Sequence, residues 1–260
     1  MHTKSIHIKH PNMIPTTIDE LAASAATNND WFRGYMWGNL PRISADAEFI
    51  TSIVPKEYSI LDVGAVPPLL LKLLHDKGYR DLHTCDPHVE TFDNFFRAAN
   101  ICYHNLDIIR DPEDMPKRKY DCVVLCEVIE HLGGNLLTAL KTVTDVVDNE
   151  GYFYVTTPNL RSISGLFSLL RYQSGLASKP RETVRQQFER AGSECGYFGH
   201  LREYTPKEVI DLIESLGFKL VKKKMQTRYY SKTRCDKIGI SLENLFPNWR
   251  LFAKYLFKKV

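Results

Sequence analysis

The feature that most constrains the fold is a short apolar strand that runs directly into a glycine turn, Ser59-Ile60-Leu61-Asp62-Val63-Gly64-Ala65. A leucine-rich segment follows, and then a second short strand that ends in an acid, Leu82-His83-Thr84-Cys85-Asp86. A strand, a tight turn, a helix and a second strand tipped with a carboxylate form one half of a nucleotide-binding α/β sheet. Asp86 then lies where a ribose would bind, because a carboxylate can accept hydrogen bonds from both ribose hydroxyls.

The loop after Gly64 argues against a dinucleotide. A dinucleotide site needs G-x-G-x-x-G, so that backbone N–H groups can approach a pyrophosphate. The segment here is Ala65-Val66-Pro67-Pro68-Leu69, and its two prolines supply no N–H. The loop is therefore a poor phosphate site, but it can hold an adenosine without phosphate. S-adenosylmethionine (SAM) is such a ligand.

Length and composition predict an ordinary globular protein. The chain has 260 residues, of which 43% are hydrophobic and 25% are charged. It has no apolar run long enough to span a bilayer, and Met1–Met13 lacks the apolar region of a secretory signal. The six cysteines form no C-x-x-C pair, and we predict reduced thiols and a cytoplasmic location. A net charge of +3 is too small to indicate a nucleic-acid partner.

Predicted strands and helices alternate as far as about Asn159, which indicates parallel crossover units. Residues 161–199 interrupt this alternation and are predicted to form an inserted cap. We expect an N-terminal arm or lid over residues 1–43 and the main domain over 44–260. The last segment, Trp249–Val260, fits either a strand or an amphipathic helix. The predicted strands before it are Ser59–Val63, Asp81–Cys85, Ile101–Asn105, Tyr120–Cys126, Gly151–Thr157 and Phe218–Met225.

The order of motifs from about Ser44 to Met225 resembles a class I SAM-dependent methyltransferase. The resemblance implies a Rossmann-like α/β fold: a seven-stranded, mostly parallel sheet with helices on both faces and one antiparallel strand. Within this superfamily the chain looks most similar to O-methyltransferases of the ubiquinone-biosynthesis type, and to bacterial relatives associated with polysaccharide or glycan assembly. The motifs that carry the match are Ile60–Ala65, Asp86, Asp107, Tyr120–Leu132, and Gly199–Pro206 ahead of a helix ending in Leu216-Gly217-Phe218.

The first loop departs from the family pattern Gly-x-Gly-x-Gly, because Val66 and Pro68 stand where the second and third glycines would be. A bulkier loop would narrow the pocket for the methionine part of SAM. The other interpretation is that the cofactor site has decayed and that the chain is a non-catalytic binding protein.

The resemblance implies a set of cofactor residues. Asp62 would orient the loop and the ammonium group of SAM, although a carboxylate at this position can instead cap the following turn. Asp86 would bind the ribose hydroxyls, and Asp107 would meet the adenine amino group. The remaining predicted cofactor residues are Gly64, Ala65, Cys126 and Glu127.

Glu127, Glu130 and His131 follow the fourth predicted strand and would share one face if this segment were helical. In one interpretation His131 is a general base, assisted by Glu130, that takes the proton of an acceptor hydroxyl. In a second, these three residues and His200 bind a divalent metal, for which zinc or manganese suits the ligands better than magnesium. A similar arrangement occurs in small-RNA 2′-O-methyltransferases. In the third, Glu130 and His131 only fix the loop by hydrogen bonds.

His200, Arg202 and Tyr204 precede a predicted helix and are predicted to bind the acceptor. The structural alternative is that Arg202 pairs with a carboxylate of the cap and that Tyr204 packs against the sheet. The sequence thus predicts an O-methyltransferase for a small-molecule or glycan-type hydroxyl. A metal-assisted RNA 2′-O-methyltransferase and a non-catalytic binding protein are the alternatives.

Overall fold

A computed structural model of the chain describes residues 14–133, 135–178, 181–191, 199–227 and 234–260. Its strands form one sheet in the order β3-β2-β1-β4-β5-β7-β6. The strands are β1 (Ile60–Val63), β2 (Leu82–Cys85), β3 (Cys102–His104), β4 (Tyr120–Cys126), β5 (Val147–Pro158), β6 (Phe218–Gln226) and β7 (Phe252–Lys259).

Strands β1 to β5 pair in parallel, whereas β7 runs antiparallel to both of its neighbours, β5 and β6. The predicted seven-stranded, mostly parallel sheet with one antiparallel strand is therefore confirmed. The ambiguous C-terminal segment is a strand from Phe252 onward, preceded by a short 3₁₀ turn, Pro247–Trp249. Insertion of β7 between two strands explains why Ala253 to Phe257 are all buried.

Helices cover both faces of the sheet. One core cluster packs α1, α2, α3 and α4 against one face, and a second packs α5 and α8 against the other. Because both faces are covered, β4 reads as a nearly continuous apolar run. The helices in the described ranges are α1 (Ile14–Ser24), α2 (Asn29–Thr51), α3 (Leu69–Asp76), α4 (Asp93–Ala98), α5 (Leu136–Asp145), α6 (Ile163–Tyr172), α7 (Val184–Ala191), α8 (Pro206–Glu214) and α9 (Arg234–Leu245). None of them is both long and apolar enough to cross a membrane.

Helix α2 is one continuous helix from Asn29 to Thr51. It contains Pro41, and the predicted division between residues 43 and 44 falls inside it. Its buried residues recur every three or four positions and form one stripe on the core, and packing of this stripe outweighs the hydrogen bond that Pro41 removes. The stripe consists of Phe32, Met36, Leu40, Ile43, Ala47 and Ile50.

The segment predicted as a cap contains α6 and α7, and its residues 179–180 and 192–198 lie outside the described part of the chain. Helix α8 follows it and begins as its sequence predicts. The Thr205 side chain accepts the N–H of Glu208, and the Glu208 side chain accepts the N–H of Thr205. This reciprocal capping fixes the entry into α8, and hence the position of the residues just before it.

Candidate functional site

Gly64 ends β1 at the edge of the sheet where parallel strands present their carboxyl ends. Its φ is +77°, and its N–H donates to the carbonyl of Cys85 at 2.9 Å. A Cβ atom at this position would lie 2.6 Å from Cγ2 of Val128, in the segment after β4. Glycine is therefore required both for the backbone conformation and for the close approach of that segment.

Asp86 holds the loop after Gly64 in place. Its Oδ2 accepts the N–H of Val66 at 3.2 Å, and its Oδ1 accepts the N–H of His88 at 2.7 Å. Burial raises the pKa of Asp86 to about 6, although these two hydrogen bonds oppose the shift. Each carboxylate oxygen keeps a second lone pair, so Asp86 can also accept hydrogen bonds from two hydroxyls.

Asp62 and Asp107 have different environments. Asp62 is 3% exposed, and burial, followed by the negative charges of Asp86 and Asp46, raises its pKa well above the usual range. Such a group favours a nearby cation. Asp107 caps its own turn, because its Oδ1 accepts the N–H of Ile109 at 2.9 Å. Contact of Asp107 with an adenine remains a prediction.

Arg42 on α2 is a site residue that the sequence analysis missed. It is 7% exposed, and its Nη1 has no hydrogen-bond partner among the described residues. The nearby Asp46 Oδ2 is 3.7 Å from Nη1. Burial lowers the pKa of Arg42, but the charges of Glu127, Tyr35 and Asp46 outweigh it and raise the pKa above its ordinary value. A buried guanidinium with an unused donor is a site for an anionic oxygen.

A buried ion pair fixes this part of α2 to the sheet. Lys254 Nζ on β7 lies 2.6 Å from Asp46 Oδ1, and both side chains are 1% exposed. The hydroxyl of Tyr154 on β5 donates to the same carboxylate oxygen at 2.8 Å. Because these bonds join α2 to β5 and β7, they hold this part of α2, with Arg42, against the two strands.

Glu127 and Cys126 close the carboxyl end of β4. Glu127 has a φ of +56°, and its N–H donates to the carbonyl of Thr156 at 2.9 Å. Its Oε1 is buried without a hydrogen-bond partner in the described part of the chain. Burial raises the pKa of Glu127, and the charge of Arg42 opposes this. Burial also raises the pKa of the Cys126 thiol, which makes it a small neutral group.

Three of the four predicted metal ligands come together after β4. Glu130, His131 and His200 each place one ligand atom within 4.8 Å of those of the other two. Glu127 is not a member of this group, so its place in the predicted four-residue set remains a prediction. The segment is not an α-helix: Glu127 has a positive φ, and a single 3₁₀ turn, Ile129–His131, follows it.

Glu130 is fully buried within this cluster. Its Oε2 accepts the Thr157 hydroxyl at 3.0 Å, and its Oε1 lies 4.0 Å from Nε2 of His200. That Oε1 has no hydrogen-bond partner in the ranges that the structure describes. Burial and the charge of Glu127 raise the pKa of Glu130 well above its usual range. The Glu130 backbone carbonyl also accepts the N–H of Leu201 at 2.8 Å.

Each of the two histidines is oriented by an oxygen atom close to its Nδ1. Nδ1 of His131 lies 2.7 Å from the carbonyl of Gly199 and must donate to it, because a carbonyl only accepts. The lone pair of a neutral His131 is then on Nε2. Nδ1 of His200 lies 2.8 Å from Oε1 of Glu203, and the two rings meet edge to face with centroids 4.8 Å apart.

Glu203 is a second residue that the sequence analysis missed. It is 1% exposed, and besides His200 it accepts the N–H groups of Ala177 at 2.6 Å and Ser178 at 3.1 Å. It therefore ties the segment after α6 to the histidine pair. The sequence offered one signal: Glu203 lies between Arg202 and Tyr204, which were both predicted to be site residues. A buried acid needs a hydrogen-bond or charged partner, and His200 is close in the sequence.

Comparison with known proteins decides the family. The sequence profile described as a methyltransferase domain matches residues 32–223, which is more than half of the chain. The chain belongs to the methyltransferase-domain family. This membership confirms the predicted enzyme class, a SAM-dependent methyltransferase, and SAM as its cofactor. It does not confirm the ubiquinone-type branch. The sequence has no significant match among curated proteins.

Solved structures confirm the Rossmann-like methyltransferase fold. A magnesium protoporphyrin IX methyltransferase from Synechocystis PCC 6803, solved with bound SAH, is 10% identical, with a TM-score of 0.56 and coverage of 96% of both chains. A Burkholderia thailandensis 1,6-didemethyltoxoflavin-N1-methyltransferase is also 10% identical, with a TM-score of 0.57 and coverage of 99% of this chain and 93% of that one. A putative Haloferax volcanii methyltransferase, solved with the Trm112 activator, is 12% identical, with a TM-score of 0.59 and coverage of 98% and 99%. At these identities the likeness concerns the fold alone.

In this methyltransferase, Arg202 pairs with a carboxylate of α8 and not with one of the cap, whereas Tyr204 packs in the core on one face of the sheet. Arg202 Nη2 lies 2.5 Å from Oε1 of Glu208, and its guanidinium lies 5.0 Å from the centre of the Tyr204 ring. Tyr204 is buried, and its carbonyl accepts the N–H of Leu160 at 3.0 Å. Acceptor binding by these two residues remains a prediction.

A cavity of about 600 Å³ lies between the helices of the cap segment and residues 201–203 of the methyltransferase. Glu203 lines it and also holds His200, so the cavity adjoins the histidine pair. Tyr172 and Leu176 give it apolar walls, and Arg181 and Glu182 give it charged ones. A mixed lining of this kind suits a polar acceptor with a hydrophobic part.

Proposed function

We propose that this methyltransferase is an O-methyltransferase for a hydroxyl group of a small-molecule or glycan-type acceptor. The observation that carries the proposal is the orientation of His131. Its Nδ1 donates to the Gly199 carbonyl, so that Nε2 can accept a proton beside the ends of the strands. The same proposal places the chain in the branch of ubiquinone-type and glycan-associated enzymes and assigns it a cytoplasmic location. The location is supported by the free thiols of Cys85, Cys102, Cys122 and Cys126.

The residues around Gly64 fit SAM. The unused Nη1 of buried Arg42 suits the methionine carboxylate, and the two oxygens of Asp86 suit the ribose hydroxyls. Asp62 and the Oε1 of Glu127 can accept hydrogen bonds from the ammonium group, whose positive charge would favour the ionised forms of these two buried carboxyls. When bound, SAM supplies a methyl group that is electrophilic because its sulfur is a sulfonium.

The acceptor would be activated by His131 and positioned by its neighbours. The proton of the acceptor hydroxyl would pass to Nε2, and the Gly199 carbonyl would stabilise the resulting imidazolium through Nδ1–H. Glu130, which is predicted to assist His131, is fully buried and bonded to Thr157, and these contacts support a positioning role for it. Most of the rate would come from holding the two reactants together in the correct geometry.

Product identity is the first test. The purified protein is incubated with radiolabelled SAM and a panel of phenols, catechols and sugars, some of which also carry a carboxyl or amino group, and the product linkage is determined. We expect a methyl ether, which survives mild base. A base-labile methyl ester or an N-methyl product would overturn the proposed acceptor class.

The role of His131 has its own test. We expect His131→Ala to lower kcat by about 10²- to 10⁴-fold, because general-base help is worth this much. The affinity for S-adenosylhomocysteine, measured by calorimetry, should stay within a few fold, since His131 is not among the proposed cofactor residues. Equal losses of kcat and of cofactor affinity would contradict a base and indicate a cofactor residue.

A metal-assisted RNA 2′-O-methyltransferase is the second candidate, favoured by the cluster of Glu130, His131 and His200. A carboxylate oxygen and two imidazoles suit zinc or manganese, and the Glu203 carboxylate behind His200 is the kind of partner that orients a metal-binding imidazole. Activity on an RNA 3′ end that is lost in EDTA and restored by manganese would support this candidate. Activity that EDTA leaves unchanged would remove it.

A further inference from the structure

A second group of metal-ligand side chains lies on the β2–β3 edge of the sheet. His83 on β2 is in register with Cys102 on the edge strand β3, and His104 follows Cys102 by two residues. Residues at these positions project from the same face of a parallel pair. One ligand atom of each lies within 4.8 Å of those of the other two, and Cys102 Sγ is 3.7 Å from His104 Nε2.

His83 is oriented for binding through Nδ1. Its Nε2 lies 2.8 Å from Oδ1 of Asp81, and the Arg118 guanidinium contacts both residues, with Nη1 2.9 Å from the same Nε2. Asp81 can only accept a hydrogen from Nε2 and Arg118 can only donate one to it, so the two contacts favour opposite tautomers. The tautomer paired with Asp81 has its hydrogen on Nε2 and leaves the Nδ1 lone pair for a metal ion. A carboxylate that accepts the other N–H is the usual support of a metal-binding histidine.

The Nδ1 atom of His83 has no other use in the described part of the chain. His83 is 9% exposed, and Nδ1 is buried without a hydrogen-bond partner there. A buried polar atom left in this state costs stability. Cys102 is exposed and His104 is partly exposed, so an ion can enter from solvent.

From this geometry we propose that His83 Nδ1, Cys102 Sγ and His104 Nε2 form a zinc site. A thiolate and two imidazoles are typical zinc ligands, and an ion held by three protein ligands takes its fourth from water or a partner. Ligand atoms in a tetrahedral zinc site are about 3.5 Å apart, which the observed separations approach with small side-chain rotations. Binding converts the Cys102 thiol to a thiolate and releases its proton to solvent.

Zinc at this position would join the edge strand β3 to β2. Strand β3 also supports Asp86, the residue proposed to bind the ribose, because the carbonyl of His104 accepts the N–H of Asp86 at 3.2 Å. The cluster of Glu130, His131 and His200 contains no thiol, so the two sites differ in ligand chemistry. This difference allows them to be measured separately.

The experiment is a cobalt titration of the purified, metal-free full chain. Cobalt bound to a thiolate gives a charge-transfer band in the near ultraviolet. We expect one equivalent to produce this band, zinc to abolish it, and Cys102→Ser to lack it. Cys235→Ser is the matched thiol control and should keep the band, as should His131→Ala, which alters the other cluster.

Two further variants test the ligand set. His104→Gln should weaken cobalt binding, and Asp81→Asn should weaken zinc binding by about 10- to 100-fold, because it removes the support of His83. His104→Gln also replaces Cys102→Ser as the test if that variant does not fold. Absence of the band in the wild type would overturn the site. So would its persistence in Cys102→Ser, its loss in Cys235→Ser or His131→Ala, or unchanged affinity in His104→Gln.

Discussion

Replacement of Gly64 by alanine tests whether the cofactor turn depends on two separate physical constraints. The first is the backbone, whose φ of +77° lies in the left-handed region that residues with a Cβ disfavour. The second is space, because the new Cβ would lie 2.6 Å from Cγ2 of Val128 and 3.5 Å from its Cγ1. Contacts as short as the first require Val128 to shift.

The structure gives a magnitude for each constraint. Placing an L-residue in the left-handed conformation costs about 1–2 kcal/mol. Inserting a carbon into a filled space costs about 1–3 kcal/mol. We therefore expect Gly64→Ala to lower the free energy of unfolding by about 2–5 kcal/mol.

Urea unfolding measures this loss, and Gly217→Ala is the matched control. Gly217 has a φ of +88°, but a Cβ there would meet nothing within 4 Å, so only the backbone cost of about 1–2 kcal/mol applies. Adding Val128→Ala to Gly64→Ala should recover the packing cost, seen as a favourable interaction energy in the double-mutant cycle. If Gly64→Ala costs no more than Gly217→Ala, or if Val128→Ala recovers nothing, the reasoning about close approach is wrong.

Three further outcomes follow from the site. Because the pKa of Asp86 is about 6 and ribose hydroxyls donate to the ionised form, affinity for S-adenosylhomocysteine should fall as the pH drops below 6. In Asp86→Asn, calorimetry should find an affinity for S-adenosylhomocysteine that does not change with pH. The same result in the wild type would contradict a role for the ionised Asp86 in binding. Arg42→Met should weaken the binding of S-adenosylhomocysteine by about 10- to 100-fold but leave the binding of methylthioadenosine unchanged, because methylthioadenosine lacks the carboxylate. Equal losses of affinity for the two ligands would exclude a pairing of Arg42 with the carboxylate. Lys254→Met should cost about 3–5 kcal/mol by removing the cation nearest to the buried Asp46 carboxylate, and adding Asp46→Asn should recover part of this loss in urea unfolding.

The elements that the sequence predicted closely are those governed by neighbours in the chain. Strand β4 has the predicted bounds because a fully covered parallel strand needs an unbroken apolar run. Helix α8 begins where Thr205 and Glu208 cap each other, and Gly217, in the predicted Leu-Gly-Phe segment after it, has a positive φ. In these segments local preferences and the tertiary fold agree, so pattern alone was sufficient.

The parts that the sequence did not predict depend on contacts between distant segments. Arg42 belongs to the site because α2 is bound to β5 and β7 through Asp46, and nothing near Arg42 in the sequence indicates those strands. Glu203 also accepts the N–H groups of Ala177 and Ser178 in the cap, which are far from it along the chain. Pairings of this kind are decided by the folded structure.

The unusual first loop and the buried arginine are best understood together. In a glycine-rich loop, backbone N–H groups approach the ligand, but here the N–H of Val66 is used by Asp86, and Pro67 and Pro68 have none. The loop therefore offers few donors to the carboxylate of the proposed cofactor. Arg42 supplies a buried, charged donor from α2 at the same edge of the sheet, and its Nη1 is unused. The loss of glycines from the loop is thus consistent with a working cofactor site, because α2 provides the donor that this loop lacks.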